Sequence, residues 1–234
     1  MTRQVLDIQY TLLPGTRRKT TDIVIERNGV VAVRPPVGLS PEQVDEVVKS
    51  KRMWIYRNLA EWRDLNTAAV VRSWVNGESF LYLGRSYRLS LATQQLFDLQ
   101  LKDGRFFLKR ALVDKDGSAA ARTAFEQFYT EHGRQRLEKR VAYFAPKVGV
   151  VPASVAVKEL GYRWASCSAS NKLAFHWKCM MAPPKIIDYM VVHELCHIRH
   201  RDHTDAFWNE VDKVMPDYRE RKDWLKIQGA KLDL

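Results

Sequence analysis

Ile186-Ile187-Asp188-Tyr189-Met190-Val191-Val192-His193-Glu194-Leu195-Cys196-His197-Ile198-Arg199-His200-Arg201-Asp202-His203 is the stretch whose reading decides both the fold and the chemistry of this 234-residue chain. It follows Pro183-Pro184 and runs apolar to Val192, which predicts a buried helix opened by proline. At 100° per residue His193 and His197 lie about 40° apart and one turn along, so both imidazoles can reach one ion. Glu194 sits one residue round the helix, where it can take a proton from an attacking water rather than ligate. Zinc suits two imidazoles plus a third nitrogen or oxygen ligand, with the fourth position left for water. Nickel, copper and iron also accept imidazole. A helix with incidental histidines gives no reason for two more to follow within six residues of His197.

The third ligand is a question of geometry. His200 shares the face of His193 if the helix continues, but it then lies about 10.5 Å further along the axis, an awkward span for one tetrahedral ion. His203 points about 120° away on an unbroken helix and serves only if the chain turns back near Arg201-Asp202, a turn that aspartate tolerates. The spacing His193…His197…His203 equals that of metzincins, although His200 stands where they place a turn glycine. His203 is the favoured third ligand, His200 the alternative, and Glu210 a more distant one. Cys196 lies about 60° from His193 on the helix and reads as a small core residue. Cys167 and Cys179 form no CxxC pair, which gives a structural zinc finger little support.

Outward from this stretch, Val155–Leu160 and Leu173–Lys178 read as strands either side of Gly161. Before them a long helix is expected from Ser118 to about Phe144, stopping ahead of Pro146. Phe80–Leu83 and Tyr87–Leu91 flank Gly84-Arg85, and Leu96–Leu101 and Arg105–Lys109 flank Lys102-Asp103-Gly104, which predicts two hairpins. Nearer the start, Val5–Tyr10 partly alternates, and the β-branched run Thr21–Glu26 leads through an Asn28-Gly29 turn to Val30–Val33. Ser40-Pro41-Glu42-Gln43 forms a capping box with proline at its first helical position, opening one helix to about Asp64. Residues 66–76 are the connection between a β-rich segment plus helix over 1–75 and a second region over 76–234, if the chain is not one continuous domain. The order of elements gives the α+β class.

Composition narrows the rest. With 46% hydrophobic and 28% charged residues the chain reads as an ordinary globular protein, and its apolar runs are too short for a membrane span. No membrane partner is expected. Three cysteines are too few for a disulfide framework and point to a reducing cytoplasm. The net charge of +11 is spread as +6 over residues 1–117 and +5 over the remainder, so it forms no basic tail. It motivates an alternative reading: a basic nucleic-acid-associated protein, or a protease acting on nucleic-acid-bound proteins. Arg17-Arg18-Lys19 and Lys49-Ser50-Lys51-Arg52-Met53-Trp54 would make weak nucleic-acid contacts. The basic residues of the 42–64 helix, however, alternate with Glu42, Asp45, Glu46, Glu61 and Asp64, as on a solvated face.

Over nearly its whole length the sequence resembles the YgjP-like metallopeptidases, neighbours of the SprT-like zinc proteases. The resemblance rests on Arg17-Arg18-Lys19-Thr20 with Val31–Pro36, on Phe80-Leu81-Tyr82-Leu83-Gly84-Arg85-Ser86-Tyr87-Arg88-Leu89, and on Tyr162-Arg163-Trp164-Ala165-Ser166-Cys167-Ser168. Ala182-Pro183-Pro184 and the run from His193 to Phe207-Trp208 complete it. Two positions depart from the family pattern: Ala165 replaces a glycine, and His176 stands where asparagine is common. The resemblance implies a zincin-like C-terminal part built on the active-site helix, with Zn2+ on His193, His197 and His203 and Glu194 as catalytic acid/base. The expected activity is peptide-bond hydrolysis by metal-activated water on a peptide or protein substrate. The Arg163–Ser168 segment is either a structural turn with Trp164 packed on the metal helix, or a cleft wall in which Arg163 meets a substrate carboxylate or oxyanion. His176 is the second candidate substrate-binding residue, and the strand Leu173–Lys178 a candidate edge for an extended peptide.

Overall fold

The computed structural model describes residues 1–17, 20–25, 29–65, 70–114, 118–161 and 163–234. Arg18, Lys19, Glu26, Asn28, Tyr162 and residues 66–69 of the expected connection, which enter the sequence reading, lie outside the described residues, as do the side chains of Glu61 and Asp64. The chain divides into two compact units, Met1–Ala69 and Val70–Leu234.

In the first unit Thr2–Val5 (β1) and Ile8–Leu12 (β2) form an antiparallel pair. β2 then runs parallel to Val31–Arg34 (β4), which pairs antiparallel with Asp22–Ile25 (β3). Alternate residues Val5, Ile8, Tyr10, Val31 and Val33 bury one face against Val44, Val48 and Ile55. The capping box at Ser40 and Gln43 opens the helix Pro41–Ser50 (α1), as the sequence predicts. The single helix expected to Asp64 is two, α1 and Arg52–Leu65 (α2). The Ser50 hydroxyl donates to the Val47 carbonyl at 2.8 Å, competing with the helical ladder, and Lys51 takes φ −99° and ψ 7° at the break. Asp45 on α1 accepts from Arg3 at 2.7 Å and from the Tyr10 hydroxyl at 2.6 Å, fastening the helix to β1 and β2.

In the second unit Trp74 is buried and stacks 5.2 Å from Phe80. Ser79–Tyr82 (β5), Arg85–Ala92 (β6), Leu99–Lys102 (β7) and Arg105–Lys109 (β8) form a sheet of order β5-β6-β8-β7, with β6 and β8 parallel. Both expected hairpin turns hold residues in the left-handed region, Leu83 and Gly84 in one and Asp103 and Gly104 in the other. After a single turn, Ala111–Asp114 (α3), the helix Ser118–Val148 (α4) runs past Pro146 rather than stopping ahead of it. The proline falls in the last turn, which closes through Val150 N–H to Ala145 O and Gly149 N–H to Pro146 O. Gly133, mid-helix, lets α4 approach closely: a Cβ there would lie 3.1 Å from Met180 Cγ.

Ser154–Lys158 (β9), Ala165–Cys167 (β10) and Lys172–His176 (β11) make a second sheet of order β10-β11-β9. The strand expected to reach Lys178 ends at His176, whose Nδ1 accepts the Lys178 N–H and caps a 3-10 turn over Trp177–Met181. Pro184–Arg199 (α5), Asp205–Val214 (α6) and Tyr218–Gln228 (α7) follow. α5 buries Ile186, Ile187, Met190, Val191 and Leu195 in the core, and Asp188 takes a two-point ion pair from Arg140 of α4 at 2.6 and 2.8 Å. The β5–β6 turn braces the start of α5. The N–H groups of Leu83 and Gly84 donate to Met180 O and Met181 O, and a Cβ on Gly84 would lie 2.8 Å from Pro183 Cα. No helix among the described residues is long and apolar enough to cross a membrane.

Candidate metal centre

α5 places His193 and His197 one turn apart and ends at Arg199, where His200 leaves the helix at φ −119° and ψ 102°. The chain then turns back through Arg201-Asp202 and brings His203 to the other two. The three Nε2 atoms form a nearly equilateral triangle: 3.2 Å from His193 to His197, 3.1 Å from His197 to His203 and 3.0 Å from His203 to His193. Among the described residues these three alone could together hold a metal ion. A tetrahedral ion bound at about 2.0–2.1 Å sets its ligand nitrogens about 3.3–3.4 Å apart, so the observed triangle fits to within a few tenths of an ångström. Burial, reinforced by the neighbouring imidazoles, holds His193 well below the usual histidine range and lowers His203 as well. Both are therefore neutral at neutral pH, with a lone pair to donate. The His197 tautomer follows from its partner: Nδ1–H donates to the His200 carbonyl at 2.9 Å, leaving Nε2 to face the centre.

Phe207 of α6, fully buried, underlies the whole set, with ring centroids 4.9 Å from His193, 4.5 Å from His197 and 4.8 Å from His203. Trp208 stacks on His203 at 5.6 Å and on Tyr218 at 5.3 Å. α6 is tied back to the end of α5 by Arg199, which bonds Glu210 at 3.1 Å and the Gly149 carbonyl at 2.9 Å. Glu210 is thus spent on Arg199 and Lys213 rather than on a metal. The His200 imidazole stands outside the triad and contributes through its carbonyl. Cys196 is fully buried, and burial pushes its thiol up to about 12, as for a core residue.

Glu194, next to His193 on α5, is buried. Burial pushes its carboxyl up to about 8, with the charge of Arg163 opposing the shift. Arg163 therefore lies close enough for its charge to be felt at Glu194. His176 does not offer a free contact to a substrate. It is fully buried, its Nδ1 accepts from Lys178 N–H at 3.1 Å, and its Nε2–H donates to Glu159 at 2.7 Å. Glu159 also accepts from the Trp177 indole at 3.0 Å. The asparagine-to-histidine departure thus serves a structural pairing. The alanine departure is equally accommodated, because Ala165 lies in extended β10 opposite Phe175 and needs no glycine conformation.

The strand expected to be an edge is central: β11 pairs with β10 on one side and β9 on the other. The free edge beside α5 is β10. Its pairing follows from two bonds to the opposing strand, Ser168 N–H to Lys172 O and His176 N–H to Trp164 O. Even-numbered residues therefore face β11, while the N–H and C=O of Ala165 and Cys167 face outward. Sequence reasoning also missed Arg201. Its guanidinium donates to Ser168 O at 2.8 Å, Asn171 Oδ1 at 2.5 Å, and Ala169 O and Cys167 Sγ at 3.4 Å each, stapling the His203 loop to the β10–β11 turn.

The YgjP-like metallopeptidase domain matches residues 19–228. No curated protein matches the chain. Among solved structures, the metallopeptidase zymogen of Pyrococcus abyssi abylysin aligns with a TM-score of 0.35 and 22% identity over 37% of this chain and 89% of that one. A family match over most of the length, including every residue of the triad, makes this chain a member of the YgjP-like metallopeptidase family.

Proposed function

We propose that the metal is zinc, held by His193, His197 and His203, and that Glu194 moves the proton in peptide-bond hydrolysis. One observation carries the reading: three imidazole nitrogens converge at 3.0–3.2 Å beside a buried carboxylate on the same helix. Bound there, zinc supplies a Lewis acid for the scissile carbonyl and lowers the pKa of a water towards about 7. The chain's own residues do the rest. The His200 carbonyl and Phe207 fix the rings. With a dication held by the three histidines the raised Glu194 pKa is drawn back down, leaving the carboxylate to take a proton from the attacking water and hand it to the leaving amine. Arg163 stands against a substrate carboxylate or the developing oxyanion. An extended substrate pairs along β10 through the outward N–H and C=O of Ala165 and Cys167, reading main chain more than side chains. The unbridged Cys167, Cys179 and Cys196 support a reducing, cytoplasmic setting.

Elemental analysis tests the metal set without a known substrate. One zinc per chain is expected in the wild type and in His200→Ala, and is lost in His203→Ala. Glu194→Gln keeps its zinc while hydrolysis of a broad peptide mixture falls by about 10²–10⁴-fold. No stoichiometric metal in protein purified without chelators overturns the reading.

A further inference from the structure

The outward face of the β5-β6-β8-β7 sheet carries a row of cations that peptide hydrolysis leaves unused. Arg88 stands directly opposite Arg105, and Arg105 directly opposite Lys102. All three are exposed. They share the outer face because the alternating positions Leu89, Phe106 and Leu108 are buried. Neighbouring strands lie about 4.8 Å apart, so the row spans about 10 Å. Like charges placed opposite one another weaken a sheet, and here no described acid pairs with them. Glu78 is engaged by Arg72 at 3.8 Å and by the Trp74 N–H at 2.6 Å, and Asp98 by Lys109 at 3.8 Å. The remaining neighbouring acid is Asp103, in the turn beside Lys102. The cluster that the sequence singled out, Lys49 to Trp54, differs: Lys49 is already paired with Glu46 at 2.6 Å.

The next outward row on the same three strands is Ser90, Phe107 and Gln100, again in register. Phe107 turns away from the core between two fully buried neighbours, and it is flanked by a hydroxyl and an amide. A line of cations on one row and an aromatic ring with hydrogen-bonding neighbours on the next match a chain of phosphates whose bases are unpaired. A duplex hides the base faces that Phe107 would meet. An acidic peptide offers charge but no bases to stack.

We propose that this sheet face binds single-stranded nucleic acid, its backbone laid across Arg88, Arg105 and Lys102 and a base stacked on Phe107. The site does not depend on the metal centre, so the failure of one reading leaves the other standing. The test uses the full chain and a fluorescein-labelled, mixed-sequence single strand of about 12 nucleotides, titrated by anisotropy at several salt concentrations. Single strands lose about 0.7 in log–log salt slope per released contact, so Arg88→Ala/Lys102→Ala/Arg105→Ala reduces the slope by about 2. Phe107→Ala weakens binding about tenfold with little change in slope. The triple variant melts no lower than the wild type, because it relieves a repulsion. The control Lys49→Ala/Lys51→Ala/Arg52→Ala removes the same charge elsewhere and leaves the slope within about half a unit of the wild type. Equal losses in both triple variants, equal competition by polyglutamate, tighter binding to duplex than to single strand, or no binding by the wild type would each overturn the proposal.

Discussion

Arg201→Ala isolates what holds the third imidazole in place. α5 ends at Arg199, and the loop to His203 has little backbone support of its own beyond the His200 N–H to Cys196 O and Thr204 N–H to Asp202 O bonds. Two of the four Arg201 bonds are short, at 2.8 and 2.5 Å, and the other two are marginal at 3.4 Å. Two net hydrogen bonds at about 0.5–1.5 kcal/mol each favour the closed loop by about 1–3 kcal/mol, and the exposure of Arg201 puts the effect in the lower half of that range. The expected result is a rise of about tenfold in the zinc dissociation constant, measured by chelator competition, with the metal-free melting temperature little changed. Lysine keeps the charge but lacks the fork, so Arg201→Lys recovers only part of the loss. His203→Ala in the same assay gives a larger loss, since it removes a ligand rather than its support. A dissociation constant for Arg201→Ala within twofold of the wild type would refute the staple, and the loop would then be self-supporting.

Three further outcomes follow from the packing. Gly84→Ala forces a side chain into the left-handed region, with its Cβ 2.8 Å from Pro183 Cα, so urea denaturation should show a loss of about 2–4 kcal/mol. An unchanged midpoint would mean that the hairpin does not brace α5. Phe207→Leu leaves a gap beneath all three imidazoles. It should cost about 1–2 kcal/mol of stability and weaken zinc binding, whereas a purely structural phenylalanine would change only the first. Asp45 is held below the usual carboxylate range by its hydrogen bonds from Arg3 and Tyr10. Its contribution is therefore complete above about pH 4 and is lost as pH falls through its lowered value. The melting difference between wild type and Asp45→Asn should be flat above that pH and shrink below it, while a difference that grows on acidification would contradict the assignment.

What was legible in the sequence is what short-range chemistry decides. The apolar run Ile186–Val192, the four-residue step from His193 to His197 and the proline start define α5. Lys102-Asp103-Gly104 announces a hairpin because its turn needs residues that tolerate positive φ. The turn that brings in His203 could be posed as a condition and is met in the structure. Strand order could not be read, because pairing partners are chosen by distant segments. β9 and β11 pair directly and in parallel although β10 comes between them in the sequence, and with β10 on its other side β11 is central rather than an edge. His176 carries the same polar signature whether it meets a substrate or a glutamate of its own chain, and only the position of the exposed Glu159 distinguishes the two. Arg201 was invisible for a simpler reason: two of its four acceptors are backbone carbonyls, which every residue supplies.

The whole triad and its carboxylate come from the eleven-residue run His193 to His203. Closing so short a loop costs little entropy, so the unfolded chain keeps part of its affinity for the ion. The stability gained on loading depends on the ratio of the two affinities rather than on the tighter one alone. Zinc should then raise the melting temperature by less than its binding to the folded protein would suggest. A chain diluted out of denaturant could capture its ion before any of the three sheets has formed.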